Sequence, residues 1–229
     1  MLLVMSVGAI VVAAGRGERL GHELPKGFVP VGGVPMLVRS IDRLRAVAAI
    51  SCIQPVIPAA EHDRFATLQL DPERLAAPVD GGAERQDSVA AGLAALPSDI
   101  EIIAVHDAAR CLVDPVDVAR AVEAARDSGA ALLAAPASDT IKLVEEGVVV
   151  RTPPRESCWA AQTPQVFRAE ILREAHSKAQ ADGFVGTDDA QLVERLGIEV
   201  HVVAGSAHNI KITHRDDLEV AEAWLLESQ

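Results

Sequence analysis

Residues Ser6 to Gly27, SVGAIVVAAGRGERLGHELPKG, decide the fold. The run Gly8-Ala9-Ile10-Val11-Val12-Ala13 has no polar member, the pattern of a strand buried on both faces in a parallel sheet. The loop after such a strand is where an open α/β sheet binds its ligand. Gly15 and Gly17 allow a close backbone approach and aim N–H groups outward, and Arg16, Arg19 and Lys26 surround the same turn with positive charge. A tight strand-to-helix turn and a phosphate cradle both fit the glycines; the charge favours the cradle. Two familiar phosphate motifs are absent. The dinucleotide fingerprint G-x-G-x-x-G requires glycine where Leu20 stands, and the string G-x-x-x-x-G-K-[ST] does not occur.

The 229 residues suffice for one large α/β domain, 1–229, with a well-buried core, and no shift in composition divides them. The net charge of −12 repels nucleic acid and anionic membranes at long range, so an anionic ligand must be small and met by a local basic pocket. Only Lys26, Lys142, Lys178 and Lys211 are lysines, so lysine is not the general surface solubiliser. Aromatic residues make up 3% of the chain and are scattered, which excludes a stacking platform for single-stranded nucleic acid. Cys52, Cys111 and Cys158 are odd in number and lack C-x-x-C spacing, against a disulfide framework or structural zinc site and in keeping with the reducing cytoplasm. The apolar start, Met1 to Val7, has no basic region before it, and no run approaches membrane-spanning length, so neither a signal peptide nor a transmembrane helix is expected.

Beyond the first loop, Gly32-Gly33 turns and Pro35 opens a helix with Leu37, Ile41, Leu44 and Ala48 at helical spacing. Ser51 to Ile57 is expected as a strand at an edge or bulge because of Pro55, and Ala76 to Asp80 as a short edge strand. Glycines 81 and 82 lead into a helix from Ser88 to Leu96, with Asp87 or Ser88 as its N-cap. The turn's free N–H groups, Arg85 and the Ser88 hydroxyl suit a nucleotide's base, sugar or phosphate. The strand Glu101 to Val105 delivers His106-Asp107-Ala108-Ala109-Arg110 at its carboxyl end. Asp107 there can hold Mg²⁺ against a polyphosphate; the alternative is a buried carboxylate paired with Arg110. Asp114-Pro115 starts the next helix, with Val118, Ala121, Val122 and Ala125 inward. After the strand Ala130 to Ala135, residues 139–152 carry a hairpin signature, a ribbon unable to bury its own apolar side and best satisfied by a second copy of itself. A strand Trp159 to Thr163, a helix Arg168 to Ala181, and a helix near Thr187 follow, the last with Thr187-Asp188-Asp189 as cap and first turn. Strands are expected at Ile198 to Val203 and Asn209 to Thr213, before a final helix from about Arg215 to Leu226. Lys211 lies between two isoleucines, either on a solvated strand face or facing an anion.

Ala13 to Leu20 with Pro25-Lys26, Asp80 to Ser88 (D-G-G-x-x-R-x-x-S), Val105 to Arg110 (V-H-D-A-A-R), Asp139 to Lys142 (D-T-I-K), Gln162 to Phe167 (Q-T-P-Q-x-F), Thr187 to Ala190 (T-D-D-A) and Asn209 to Thr213 (N-I-K-I-T) occur in this order across almost the whole chain. Together they closely resemble the 2-C-methyl-D-erythritol 4-phosphate cytidylyltransferase (IspD) family of isoprenoid biosynthesis. The resemblance implies a Rossmann-like nucleotidyltransferase fold, a mostly parallel central sheet flanked by helices, with a protruding β-hairpin dimerisation arm at about 138–156. It also implies a cytoplasmic homodimer that uses Mg²⁺ or another divalent cation to join CTP and methylerythritol phosphate, giving CDP-methylerythritol and pyrophosphate.

By the same resemblance, Arg19, Lys26 and Lys211 are catalytic, with Arg19 and Lys26 stabilising the transition state and Lys211 binding the triphosphate. The nucleotide contacts implied are Ala13, Ala14, Gly15, Arg16 and Gly17 for the triphosphate, Gly82, Ala83 and Ser88 for cytosine and ribose, and Arg85 and Ala108 for the nucleotide as a whole. Asp107 holds the metal near the sugar phosphate. The acceptor is met by Asp107, Arg110 and Thr213, with Asp139, Thr140 and Arg155 reaching over from a partner chain. Three positions depart from the family pattern: Ala83 for a polar residue, Gly27 for a larger one, and Cys111 for a common proline. A ribitol 5-phosphate cytidylyltransferase would share the nucleotide half, and a non-catalytic nucleotide-binding regulator is the alternative of another class.

Overall fold

Five of the six residues of β1 (Val7–Val12) are buried, because the strand lies between two apolar layers. Successive side chains on a strand point to opposite faces. Accordingly Ala9 and Val11 join a core with Leu37, Ile41 and Val118, while Ile10 joins another with Val89, Leu93 and Leu172. The computed structural model describes residues 5–15 and 17–227.

In chain order, a two-residue pair, β2 (Pro30–Val31) and β3 (Val34–Pro35), precedes α1 (Met36–Arg45), β4 (Ile50–Ile57), α2 (His62–Ala66), β5 (Val79–Asp80) and α3 (Arg85–Ala95). Next come β6 (Ile102–Asp107), α4 (Pro115–Ser128), β7 (Ala130–Pro136), the hairpin β8 (Leu143–Glu145) and β9 (Val148–Arg151), and β10 (Trp159–Arg168). The chain finishes with α5 (Ala169–Asp182), α6 (Asp189–Glu194), β11 (His201–Ala204) and α7 (Arg215–Glu227). Seven strands form the main sheet in the order β11-β7-β10-β6-β1-β4-β5. All run parallel except β10, which is antiparallel to both neighbours.

Local sequence explains most elements. The Asp114 side chain accepts the Val116 N–H at 2.8 Å, Pro115 occupies the first turn of α4, and Gly129 takes the left-handed cap at φ 92°. The α1 residues Leu37, Ile41 and Leu44 are fully buried, each stabilising the fold by about 1.5–3 kcal/mol relative to an exposed side chain. Ala48 lies beyond α1 and is exposed; Val47 takes the core position instead.

Four expectations are corrected. The strand carrying Pro55 is interior, not an edge: β4 pairs with β1 and β5. Pro55 is tolerated because the ladder to β5 begins only at Val56, and the Gln54 side chain donates to the Pro55 carbonyl in the gap. The α3 helix starts at Arg85 with Glu84 as N-cap; Asp87 instead accepts the Glu84 N–H at 3.1 Å, and the Ser88 hydroxyl accepts from Gly82 N. Residues Asn209 to Thr213 form no strand, because β6 already has β1 and β10 as neighbours; only Ile212 N reaches across, to the Ala109 carbonyl. Finally, β10 runs five residues past Thr163 to Arg168, since Val166 and Phe167 bury in the two cores as the strand enters between β6 and β7.

The β8/β9 hairpin stands outside the main sheet, turning at Glu146-Gly147 with both residues at positive φ. Leu143, Val144, Val148, Val149 and Val150 on it are all exposed.

Candidate active site

The carboxyl ends of β1 and β6 are level: Val12 is paired with Asp107, so the glycine-rich turn and the acidic strand end open onto one cavity of about 510 Å³. The turn after β5 closes the opposite wall with Gly82, Ala83 and Glu84, and the segment after Asn209 contributes Lys211 and Thr213. Among the described residues, four cationic side chains, Arg19, Lys26, Arg85 and Lys211, face two anionic ones, Glu84 and Asp107. Their balance is basic by two charges within a chain of net charge −12, which suits the cavity to a polyanion.

Gly17 has φ 69°, and a Cβ on it would fall 2.5 Å from the Lys26 Cβ. A side chain there would push the lysine loop off the cradle. Gly27 answers the same constraint on the other side, where a Cβ would meet that of Ala13 at 2.9 Å. The absence of a side chain at Gly27 thus lets Lys26 sit against the first strand's end. Burial lowers the Lys26 pKa to about 8, assisted by the positive charges of Lys211 and Arg19.

Asp107 is buried at the cavity floor. Its Oδ1 accepts from Arg85 Nε at 3.0 Å and its Oδ2 lies 2.7 Å from Lys211 Nζ. Burial alone would raise its pKa, but Arg85 and Lys211 hold the carboxyl well below the usual range. The pairing with Arg110 considered from the sequence does not form. Arg110 instead donates to the carbonyls of Asn209 and Ala161 at 2.7 and 3.0 Å, bracing the segment that carries Lys211 against β10.

The Asp107 backbone N–H donates to Thr163 Oγ at 3.0 Å, and the same hydroxyl lies 3.1 Å from His106 Nδ1. Thr163 thus ties the end of β6 to β10 through both the main chain and the imidazole. Burial pushes the His106 pKa down to about 4, so it is a structural support, not an acid or base near neutrality.

As to metal, no cluster of three His, Cys, Asp or Glu side chains capable of holding an ion occurs among the described residues. A single carboxylate beside a basic polyanion pocket nonetheless fits Mg²⁺, which commonly keeps one or two carboxylates and takes its remaining ligands from phosphates and water.

The cavity wall brings together fourteen residues picked out from the sequence: Ala13, Ala14, Gly15, Gly17, Arg19, Lys26, Gly82, Ala83, Arg85, Ser88, Asp107, Ala108, Lys211 and Thr213. Arg16 lies outside the described residues. Arg110, Asp139, Thr140 and Arg155 do not line it, the last three belonging to the arm region of their own chain. Val12, Gly27, Glu84 and Ala109 were not anticipated as wall residues. Nor was Thr163, whose only signal is a hydroxyl within Q-T-P-Q.

The family model for 2-C-methyl-D-erythritol 4-phosphate cytidylyltransferase (IspD) matches residues 7–227. A curated protein of that name from Pelotomaculum thermopropionicum is 45% identical over 95% of this chain and 93% of its own length. Another, from Geobacter metallireducens, is 42% identical, covering 97% and 99%. Among solved structures, a 4-diphosphocytidyl-2C-methyl-D-erythritol synthase from Anaerococcus prevotii superposes with a TM-score of 0.87 at 30% identity over 97% of this chain and 99% of that one. A 2-C-methyl-D-erythritol 4-phosphate cytidylyltransferase from Thermus thermophilus does so at 0.77 and 38% identity, covering 96% and 98%.

Proposed function

The chain belongs to the 2-C-methyl-D-erythritol 4-phosphate cytidylyltransferase family, and from that membership we propose how its site carries out the reaction. The enzyme transfers CMP from CTP to 2-C-methyl-D-erythritol 4-phosphate, giving CDP-methylerythritol and pyrophosphate in the non-mevalonate route to isoprenoids. The observation that carries the division of labour is the convergence of Arg19, Lys26 and Lys211 on the cavity that the glycine-rich turn opens, with Lys211 ion-paired to the buried Asp107.

The acceptor phosphate is itself the nucleophile. One of its oxygens forms a bond to the α-phosphorus as the bond to the β-phosphate oxygen breaks, and the electron pair leaves with pyrophosphate. No protein nucleophile and no general base is needed, so the protein contributes position and charge. The backbone from Ala13 to Gly17 and Lys211 hold the triphosphate, and Lys26 with Arg19 neutralises charge growing on the equatorial and leaving oxygens. Gly82, Ala83 and Ser88 surround the base and ribose; Ala83, lacking a polar side chain, offers its backbone. A divalent cation held by Asp107 would supply further charge neutralisation on the phosphates.

The protein acts as a homodimer in the cytoplasm, without nucleic acid or membrane partners. The fully exposed valine-rich faces of β8 and β9 support the dimer, since an isolated two-stranded ribbon is marginal in water and a second copy would cover it. Arg155, Asp139 and Thr140 then serve the partner's acceptor pocket. The three unpaired cysteines suit a reducing compartment, and no described helix is long and apolar enough to cross a membrane.

The direct test is pyrophosphate release from CTP and Mg²⁺ with methylerythritol 4-phosphate, ribitol 5-phosphate or no acceptor. Release with methylerythritol phosphate alone is expected. A preference for ribitol phosphate would leave the nucleotide half standing and reassign the acceptor, and silence with every acceptor alongside normal CTP binding would make the protein a regulator.

Lys26 also sets a pH dependence. Its protonated form is the one that meets the triphosphate, and with a free-enzyme pKa of about 8 that form is lost as pH rises. The kcat/KM for CTP is therefore expected to fall about tenfold per unit above pH 8. The limb in kcat lies higher, because bound polyanion favours the ammonium. Lys26→Arg should remove the limb in kcat/KM; an unchanged limb in that variant would assign it elsewhere.

A further inference from the structure

Arg85, the first residue of α3, is held between two carboxylates. Its Nε donates to Asp107 Oδ1 at 3.0 Å and its Nη1 to Asp189 Oδ2 at 2.7 Å. Asp189 is the first residue of α6, 104 positions away, and is 1% exposed. It lines no part of the cavity. Its second oxygen lies 3.0 Å from Nε2 of the buried His176, and its backbone N–H donates to Gln165 Oε1 on β10. Every polar atom of this side chain is thus turned toward Arg85 and the α5 layer. The remaining amino group of the guanidinium, Nη2, is buried and has no hydrogen-bond partner among the described residues.

Nε and Nη2 form one edge of the guanidinium plane, the edge that ordinarily takes both oxygens of a carboxylate in a two-pronged pair. Here only Nε reaches Asp107, through Oδ1, and Oδ2 is left to Lys211. A carboxylate gripped by both prongs has its lone pairs engaged and its plane fixed toward the arginine. Gripped by a single N–H, Asp107 turns its other oxygen to Lys211, itself a residue of the cavity wall. Asp189 fixes the far corner of the same guanidinium, Nη1, at 2.7 Å.

We propose that Asp189 is a positioning residue for the transfer reaction: anchored by His176, it holds Arg85 in a single-pronged contact so that Asp107 Oδ2 stays on the cavity side, beside Lys211, where the Mg²⁺-bearing triphosphate arrives. The proposal rests on the cytidylyltransferase reading and adds to it a buried anion remote from the substrates. It also accounts for a carboxylate buried at a cost that its helix-capping neighbour Asp188, which alone accepts the Gln191 N–H, does not need it to bear.

The experiment compares wild type, Asp189→Asn, Arg85→Gln and the double variant by steady-state kinetics, thermal melting, and calorimetric CTP binding with Mg²⁺ and with EDTA. In Asp189→Asn the freed guanidinium closes on Asp107. The Mg²⁺-dependent gain in CTP affinity should shrink about tenfold, as for other groups that orient a metal ligand, with KM for CTP rising while binding in EDTA stays as in wild type. In the Arg85→Gln background, Asp189→Asn should cause no further loss of kcat/KM. It should raise the melting temperature there, because it removes a buried carboxylate that has lost its arginine and keeps only His176 beside it, and this arm remains readable even if the single Asp189→Asn chain folds poorly. An equal Mg²⁺-dependent gain in wild type and Asp189→Asn, or the same fractional loss of activity in both backgrounds, would overturn the proposal. A wild type inactive with methylerythritol phosphate would instead sink the functional reading beneath it.

Discussion

Replacing Lys26 by alanine is expected to lower kcat/KM by roughly two to three orders of magnitude, the usual effect of deleting one preorganised donor to developing charge. The loss should appear in kcat as well, because the lysine's charge matters most when pyrophosphate departs. A loss confined to KM would reduce Lys26 to a ground-state phosphate ligand. The same change should not weaken the fold at pH 7. The Lys26 pKa is about 8 in the native protein against an ordinary lysine value of 10.5, so between these values the unfolded chain binds the proton that the native one has released. Stability contributed by this group accordingly rises with pH through that window, and below it the fold bears an ammonium it would rather lose. Lys26→Ala should therefore melt no lower than wild type at pH 7 and show a flatter stability profile between pH 8 and 10.

Mixing Arg155→Ala chains with Lys26→Ala chains is expected to restore activity that neither has alone. If the arm of one chain completes the acceptor pocket of the other, a mixed dimer holds one intact site, combining the Lys26 of one chain with the partner's Arg155, and one doubly impaired site. Random exchange in equal amounts makes half the dimers mixed, so recovery should approach about a quarter of wild-type activity. Well-folded mixed dimers with no gain over the separate variants would mean that Arg155 serves its own chain or none.

How much of this was visible in the sequence depended on distance along the chain. The cradle and the His106-Asp107-Ala108 strand end were legible because each lies within a few residues of an apolar run, and an open parallel sheet gathers such ends at one edge. Lys26 needed only the spacing to Gly17. The supports behind Asp107 and Arg85 were not legible. Thr163 is 56 positions away, and Asp189 reaches the site only through Arg85, so neither has a local pattern to betray it. Asp188 and Asp189 illustrate the limit: both fit a helix start, and the structure gives the cap to the first and a buried ion pair to the second. Pro55 misled for a related reason. Its missing N–H rules out a ladder bond at that one position, while the strand around it is paired on both sides.

The reversed strand β10 has a consequence for how the chain is made. It follows both β6 and β7 along the chain, so a chain ending before Trp159 carries the strands β5-β4-β1-β6 with the β6 flank open and without the α5 and α6 side chains that cover one face. That flank is the backbone of Ile102 to Val105, apolar and bare of gatekeeping charge until β10 lands on it. Translation stalled or truncated in the arm would release a template for edge-to-edge association.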